Sequence, residues 1–174
     1  MATRLSATSN HVTLLVRPHY KRELQSSGVT LLGSEVSKTA VKLSIVDNTD
    51  SIGKQDLVVL ALKAHQISSS IDLILQLVSK STVLLTMQNG IPFWYFYGLK
   101  KRFGFDYLES VDPGGDIFSR LSGRCTIIGS VVYMAAEMVK TGRVRLIEDS
   151  SLLIADILGD GKTKHSIEIC ELFR

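Results

Sequence analysis

Apolar residues along this chain fall into runs of about six or fewer, and two rhythms alternate between them. HVTLLV at 11–16, VTLL at 29–32, VKLSIV at 41–46, DLVVLAL at 56–62 and TVLLTM at 82–87 are compact and rich in β-branched residues. That pattern suits strands of a parallel sheet, which are buried on both faces. Between the last two runs, Ile67, Ile71, Ile74, Leu75 and Val78 recur at three- and four-residue spacing, so the reading is a helix over 65–79 with one apolar face. A second helix starts at Pro18, a residue suited to a first helical turn, and stops at Gly28 as a left-handed C-terminal cap. ATRLSATS at 2–9 reads as the end of a helix, and DNTDSIGKQ at 47–55 as a loop. Alternating strand and helix predicts an α/β sheet with right-handed crossovers.

The rhythm changes after Asn89 and Gly90. IPFWYFYG is dense in aromatics, KKRFGFDYLES is polar and irregular, and DPGGD at 112–116 has turn chemistry. CTIIGSVVYMAAEMV, GRVRLIED and SLLIADI then predict antiparallel strands with turns near Thr141-Gly142 and Asp149-Ser150. KTKHSIEICELFR predicts a closing helix. No internal repeat or low-complexity tract interrupts the pattern.

At 174 residues the chain has the size of one domain, with an apolar share of 45% that excludes a disordered polymer. Its apolar runs are far too short to span a bilayer, and a secretory leader is not expected. The net charge of +3 is slight, and Lys100, Lys101 and Arg102 form the one basic run, read as a solvated face. Neither a nucleic-acid nor a membrane partner is expected. Cys125 and Cys170 lack any metal-ligand spacing, so no metal is expected and both thiols read as reduced, structural and cytoplasmic.

The chemistry-bearing positions sit where strands end. Lys63 closes the run Leu57 to Leu62, and Gln88 and Asn89 close Val83 to Met87. Ligands of an open parallel sheet bind outside the carboxyl ends of its strands. A cation and an amide delivered there suit an anionic or carbonyl-bearing small molecule. Each residue also has a plainer reading: Lys63 as a lysine at a strand terminus, Asn89-Gly90 as a turn. His65 reads as a helix-start surface residue, and Trp94, Tyr95, Phe96 and Tyr97 as packing or a lid. Asp112 to Asp116 read as a turn, and Glu137 carries no assigned chemistry.

Four segments together carry a resemblance: VTLLVRPHY at 12–20, DLVVLALKAHQ at 56–66, TMQNGIPFWYF at 86–96, and ESVDPGGDI with GSVVYMAAEMV within 109–139. In this order and spacing the chain resembles the amino-terminal half of the ketopantoate reductase (2-dehydropantoate 2-reductase) family. The resemblance implies a Rossmann-like parallel sheet followed by a small antiparallel strand cluster. It also implies NADPH-dependent reduction of 2-dehydropantoate to pantoate. NADP is the expected cofactor, with Arg17, Lys63, Gln88 and Asn89 on its side, Lys63 and Asn89 also reaching the 2-oxo acid substrate. Arg17 follows the strand after which an arginine accommodates a 2′-phosphate, whereas an acid would bind the bare ribose.

No G-x-G-x-x-G turn is present, although backbone approach to a pyrophosphate normally depends on one. The expectation is a fragment that starts just after that turn and lacks the central first strand. Residues 1–158 are then a partial cofactor domain, and 159–174 the start of a truncated helical domain. The family's catalytic lysine and substrate-orienting acid fall beyond the chain end: Lys162 and Lys164 match neither, so no catalytic residue is assigned. A missing central strand removes about five buried apolar side chains, on the order of 10 kcal/mol. Either the remaining strands re-pair across the gap, or adhesive edges stay open. The isolated chain is therefore expected to be weak or inactive. Two alternatives stay open: a non-catalytic remnant acting as an interaction module, homo-oligomeric or paired with a full-length relative, and an NAD(P)-dependent reductase of another 2-oxo acid.

Overall fold

A computed structural model of the chain describes residues 1–33, 38–40, 43–158 and 162–173. Two compact units are present. One comprises Met1–Ser51, Tyr133–Leu152 and Glu171–Arg174, the other Ile52–Val132 and Leu153–Cys170.

In the first unit, α1 (Ala2–Leu5) precedes β1 (Val12–Leu15), α2 (Pro18–Ser27), β2 (Val29–Leu32), β3 (Lys38–Ala40) and β4 (Leu43–Val46). Residues 41–42 of the VKLSIV run lie outside the described residues. Pro18 opens α2, where its missing N–H costs nothing. Gly28 ends the helix at positive φ, but its ψ of −168° places it outside the left-handed helical basin expected, in a region open essentially to glycine alone. The chain thereby turns straight into β2, one residue later. β1 and β4 pair in parallel, Val12 with Leu43 through Leu15 with Val46. Leu24, Val29 and Ile45 are buried, with Leu14, Val16, Tyr20 and Leu43 packed against them.

β1 was expected to be buried on both faces; instead Val12 to Leu14 are half-buried and Leu15 is 36% exposed. The reason is topological. Among the described residues β1 and β4 pair only with each other, so no strand covers the far edge of β1. Among the described residues neither β1 nor β4 pairs with a strand of the larger sheet.

The second unit is built on parallel strands β5 (Leu57–Leu60), β6 (Val83–Thr86) and the first residues of β7 (Thr126–Lys140). Leu84, Leu85 and Ile128 are fully buried, as befits a strand covered on both sides. A short 3₁₀ turn, Ala64–Gln66, leads into α3 (Ile67–Leu77), whose Ile67, Ile71, Ile74 and Leu77 face the core. Those side chains, Val78, Phe93, Ile117 and Leu121 form one continuous apolar cluster with the strands.

α4 (Lys100–Phe103) follows the aromatic segment, and α5 (Asp116–Leu121) follows a 3₁₀ turn over Pro113–Gly115. α5 is too short for a periodic signal and was not expected. Asp112 makes it possible: fully buried, it accepts hydrogen bonds from the Ile117 N–H (2.8 Å) and the Phe118 N–H (3.1 Å). Burial raises its carboxyl pKa, and those two bonds oppose the rise.

β7 turns at Thr141-Gly142 into β8 (Arg143–Asp156), and α6 (Lys164–Leu172) closes the chain. The turn expected at Asp149-Ser150 is absent, and β8 runs unbroken through it. In the first unit β8 also pairs in parallel with β2, Thr30 opposite Arg143. Asp149 is held by Arg4, which lowers its pKa and anchors the middle of the strand. A polar pair that reads as a turn in isolation is thus kept extended by a partner far away in sequence.

Candidate functional site

Three of the four expected site residues belong to the second unit and follow the carboxyl ends of β5 and β6. Lys63 caps the 3₁₀ turn, where its backbone N–H donates to Gln66 Oε1 at 3.1 Å. Its side chain is exposed and forms no ion pair among the described residues. A free ammonium at a strand terminus is available to an anion.

Gln88 is 8% exposed, and its Nε2 donates to the Leu60 carbonyl at 2.7 Å, tying the end of β6 to β5. Its Oε1 is buried without a hydrogen-bond partner among the described residues. An unpaired buried carbonyl costs about 1–3 kcal/mol and therefore favours a donor.

Asn89 is exposed and pairs with the backbone of β7. Nδ2 donates to the Val132 carbonyl, and Oδ1 accepts from the Val132 N–H, both at 3.3 Å. The side chain imitates a strand residue and prolongs the pairing of β6 with β7 past the point where the main chain leaves.

Beneath these groups lies a polar knot that sequence reasoning missed. Thr86, 1% exposed, accepts from Trp94 Nε1 at 3.1 Å and donates to the Ile128 carbonyl at 3.2 Å. Ser130 donates to the Thr86 carbonyl at 2.7 Å. The ring of Trp94 lies against Gly129, where an added Cβ would sit 2.6 Å from a ring carbon. Nothing in the run TVLLTM distinguishes Thr86 from an ordinary strand threonine; only the lone tryptophan eight residues on offered a signal. Trp94 is thus packing, as expected. Phe96 packs with Tyr95, Phe103 and Phe105 at centroid distances of 5.0, 5.4 and 4.8 Å, in edge-to-face and tilted contacts.

Arg17 belongs to the first unit, exposed at the start of α2 just past β1, with no ion pair among the described residues. Glu137, also there, pairs with Arg145 at 3.3 Å. His65 is exposed. Burial pushes the Cys125 thiol up to about 11, which favours the protonated thiol over the thiolate. No group of three metal-binding side chains occurs among the described residues, and no helix among them is long and apolar enough to cross a membrane.

Parallel strands, a crossover helix and polar groups gathered past the strand ends define a Rossmann-like α/β unit of the kind oxidoreductases use to hold dinucleotides. The comparisons narrow this class. Residues 1–159 match the family described as Ketopantoate reductase PanE/ApbA. The chain is 35% identical over 162 residues to a 2-dehydropantoate 2-reductase from Mesorhizobium japonicum, covering 92% of this chain and 49% of that protein. A solved protein from Ralstonia solanacearum MolK2, assigned to the ketopantoate reductases, superposes with a TM-score of 0.86 at 25% identity, over 99% of this chain and 52% of that one. D-mandelate dehydrogenase, solved with NADH and anilino(oxo)acetate, gives 0.69 at 20% identity, over 98% and 48%. The chain belongs to the ketopantoate reductase family, an oxidoreductase family, and spans about half the length of these relatives.

Proposed function

We propose that this chain is the cofactor-holding part of an NADPH-dependent, cytoplasmic 2-dehydropantoate 2-reductase, weak or inactive by itself. The observation that carries this reading is the 35% identity to a protein of that name, spread over 92% of the chain. The residues past β5 and β6 fit the hydroxyl- and amide-bearing part of a nicotinamide nucleotide. The unpaired Gln88 carbonyl accepts from a donor, and the free Lys63 ammonium meets an anionic group of cofactor or substrate. Asn89 keeps its amide at the edge of that site. When bound, the nicotinamide supplies the hydride for a ketone. The chain's own residues bind, orient and fix the strand ends. The sequence offers no glycine-rich turn for the pyrophosphate, and the family's proton-donating lysine has no counterpart in it, which is why low activity is expected. Arg17 is assigned to the 2′-phosphate from its place after β1, and its test is separate.

Fluorescence titration with NADPH tests the reading: saturable binding supports it, and no binding at millimolar cofactor overturns it. Arg17→Ala should weaken NADPH binding while leaving NADH unchanged. Equal effects on both would remove the NADP assignment. A panel of 2-oxo acids with a full-length relative as reference tests the substrate.

One observation favours a second reading. Among the described residues β1 pairs only with β4, and β5 pairs only with β6, so each keeps an open edge of short apolar strand. Such edges recruit further strands. A non-catalytic partner of a second copy or of a full-length relative would use them. Size-exclusion chromatography with light scattering, alone and with a full-length relative, tests it: monomers throughout would exclude this reading.

A further inference from the structure

Because β5, β6 and β7 are parallel, the loops entering them gather at the end opposite Lys63 and Asn89. These loops, with the last turn of α3, form a cleft of about 220 Å³ within the second unit. Lys54 comes from the loop before β5, Ser79 and Lys80 from the loop before β6, and Arg124 from the loop before β7. Leu75 and Val78 supply an apolar wall, and among the described residues no carboxylate lines the cleft.

Three cations in one concavity repel one another, and a shared counter-ion relieves all three at once. Lys54 Nζ donates to the Leu75 carbonyl at 3.0 Å, which fixes the ammonium and leaves further N–H donors. That bond also neutralises a carbonyl near the end of α3, where a helix otherwise repels anions. Lys80 and Arg124 form no ion pair among the described residues. Ser79 is held by Thr82, its N–H donating to Thr82 Oγ1 at 2.8 Å, and Thr82 in turn is fixed to the Gln55 carbonyl at 2.6 Å. The loop carrying Lys80 is therefore anchored. The smaller cleft of the first unit contrasts with this one: there a carboxylate, Glu23, is among the lining residues together with Lys140 and Arg143.

From this arrangement we infer that the cleft is a binding site for a small phosphorylated molecule carrying two or more negative charges, separate from the cofactor residues. Three cations match a multiply charged group. Leu75 and Val78 match the carbon atoms it esterifies, and the volume exceeds that of a lone phosphate.

Amide-resolved NMR titration of the chain tests this, with pyrophosphate, orthophosphate, sulfate, and vesicles of phosphatidylglycerol and phosphatidylcholine as probes at constant ionic strength. The expected result is saturable shifts at Lys54, Ser79, Lys80, Gly123 and Arg124 with pyrophosphate, and weaker ones with orthophosphate. Lys80→Ala and Arg124→Ala should each weaken pyrophosphate roughly tenfold, while Lys63→Ala leaves these shifts in place. Unsaturable shifts, affinity matching sulfate, indifference to both substitutions, or binding to vesicles alone would each overturn the inference. It stands independently of the proposed reductase, because loss of NADPH binding would not move these shifts.

Discussion

Replacing Gly129 by alanine tests the packing that holds the candidate site. An ideal Cβ there lies 2.6 and 2.7 Å from two ring carbons of Trp94 and 3.5 Å from Ile157 Cγ2. Ordinary carbon contacts lie at about 3.5–4.0 Å, so the ring must withdraw by about 1 Å. That withdrawal carries Trp94 Nε1 out of reach of Thr86 Oγ1, now 3.1 Å away. Overpacking costs about 1–3 kcal/mol, and the lost bond about 0.5–1.5. Removing a glycine from a strand returns about 0.5–1 kcal/mol. The expected loss is about 2 kcal/mol, read from urea denaturation followed by far-UV circular dichroism. Trp94 is the only tryptophan, so its emission should also shift to the red. The control is the same substitution in a Trp94→Leu background, where the ring is gone and Gly129→Ala should cost less than about 0.5 kcal/mol. Equal costs in both backgrounds would refute the argument, because the penalty would then belong to the backbone and not to the indole.

Other outcomes follow from single contacts. Gly142 turns β7 into β8 at φ 74°, and an added Cβ would meet the Gly28 carbonyl oxygen at 2.6 Å; Gly142→Ala should cost about 2 kcal/mol or more in the same urea assay. Asp112→Ala leaves two α5 N–H groups unsatisfied and should cost about 1–2 kcal/mol. Because burial raises the folded-state pKa of Asp112, wild type should lose stability relative to Asp112→Asn as pH rises from about 4 through that raised value, and then level off. A gap that moves the other way in denaturation at stepped pH would reject that assignment. Asp47 behaves oppositely: Lys21, at 2.7 Å, holds its carboxyl below the usual range. The stability advantage of wild type over Lys21→Met should therefore be present above about pH 4 and disappear as pH falls through the lowered value.

The difference between what the sequence disclosed and what it hid follows the range of the interactions involved. Residues 67–77 were legible as a helix because Ile67, Ile71 and Ile74 carry their own periodicity and bury against one cluster. β6 was legible because four consecutive buried positions admit few alternatives. Helix α5 was not, since a six-residue helix has no periodic signal and depends on Asp112, whose capping role needs the whole turn before it. Residues 149–150 misled for the same reason. Asp-Ser is local turn chemistry, and a guanidinium 145 residues upstream overrules it.

The site divides along the same line. Lys63 and Asn89 could be placed at strand ends from pattern alone, but Asn89's service to Val132 depends on a strand more than forty residues away. That service changes what the residue can be asked to show. An Asn89→Ala variant loses both a candidate ligand contact and the pairing that prolongs β6 onto β7, so reduced cofactor binding by itself would not separate the two. Asn89→Asp does. The carboxylate still accepts from the Val132 N–H but cannot donate to its carbonyl. It also places a negative charge where an anionic ligand would bind. Binding lost at low salt and recovered at high salt would mark Asn89 as facing the ligand, since screening weakens repulsion between exposed charges and does not restore a missing donor.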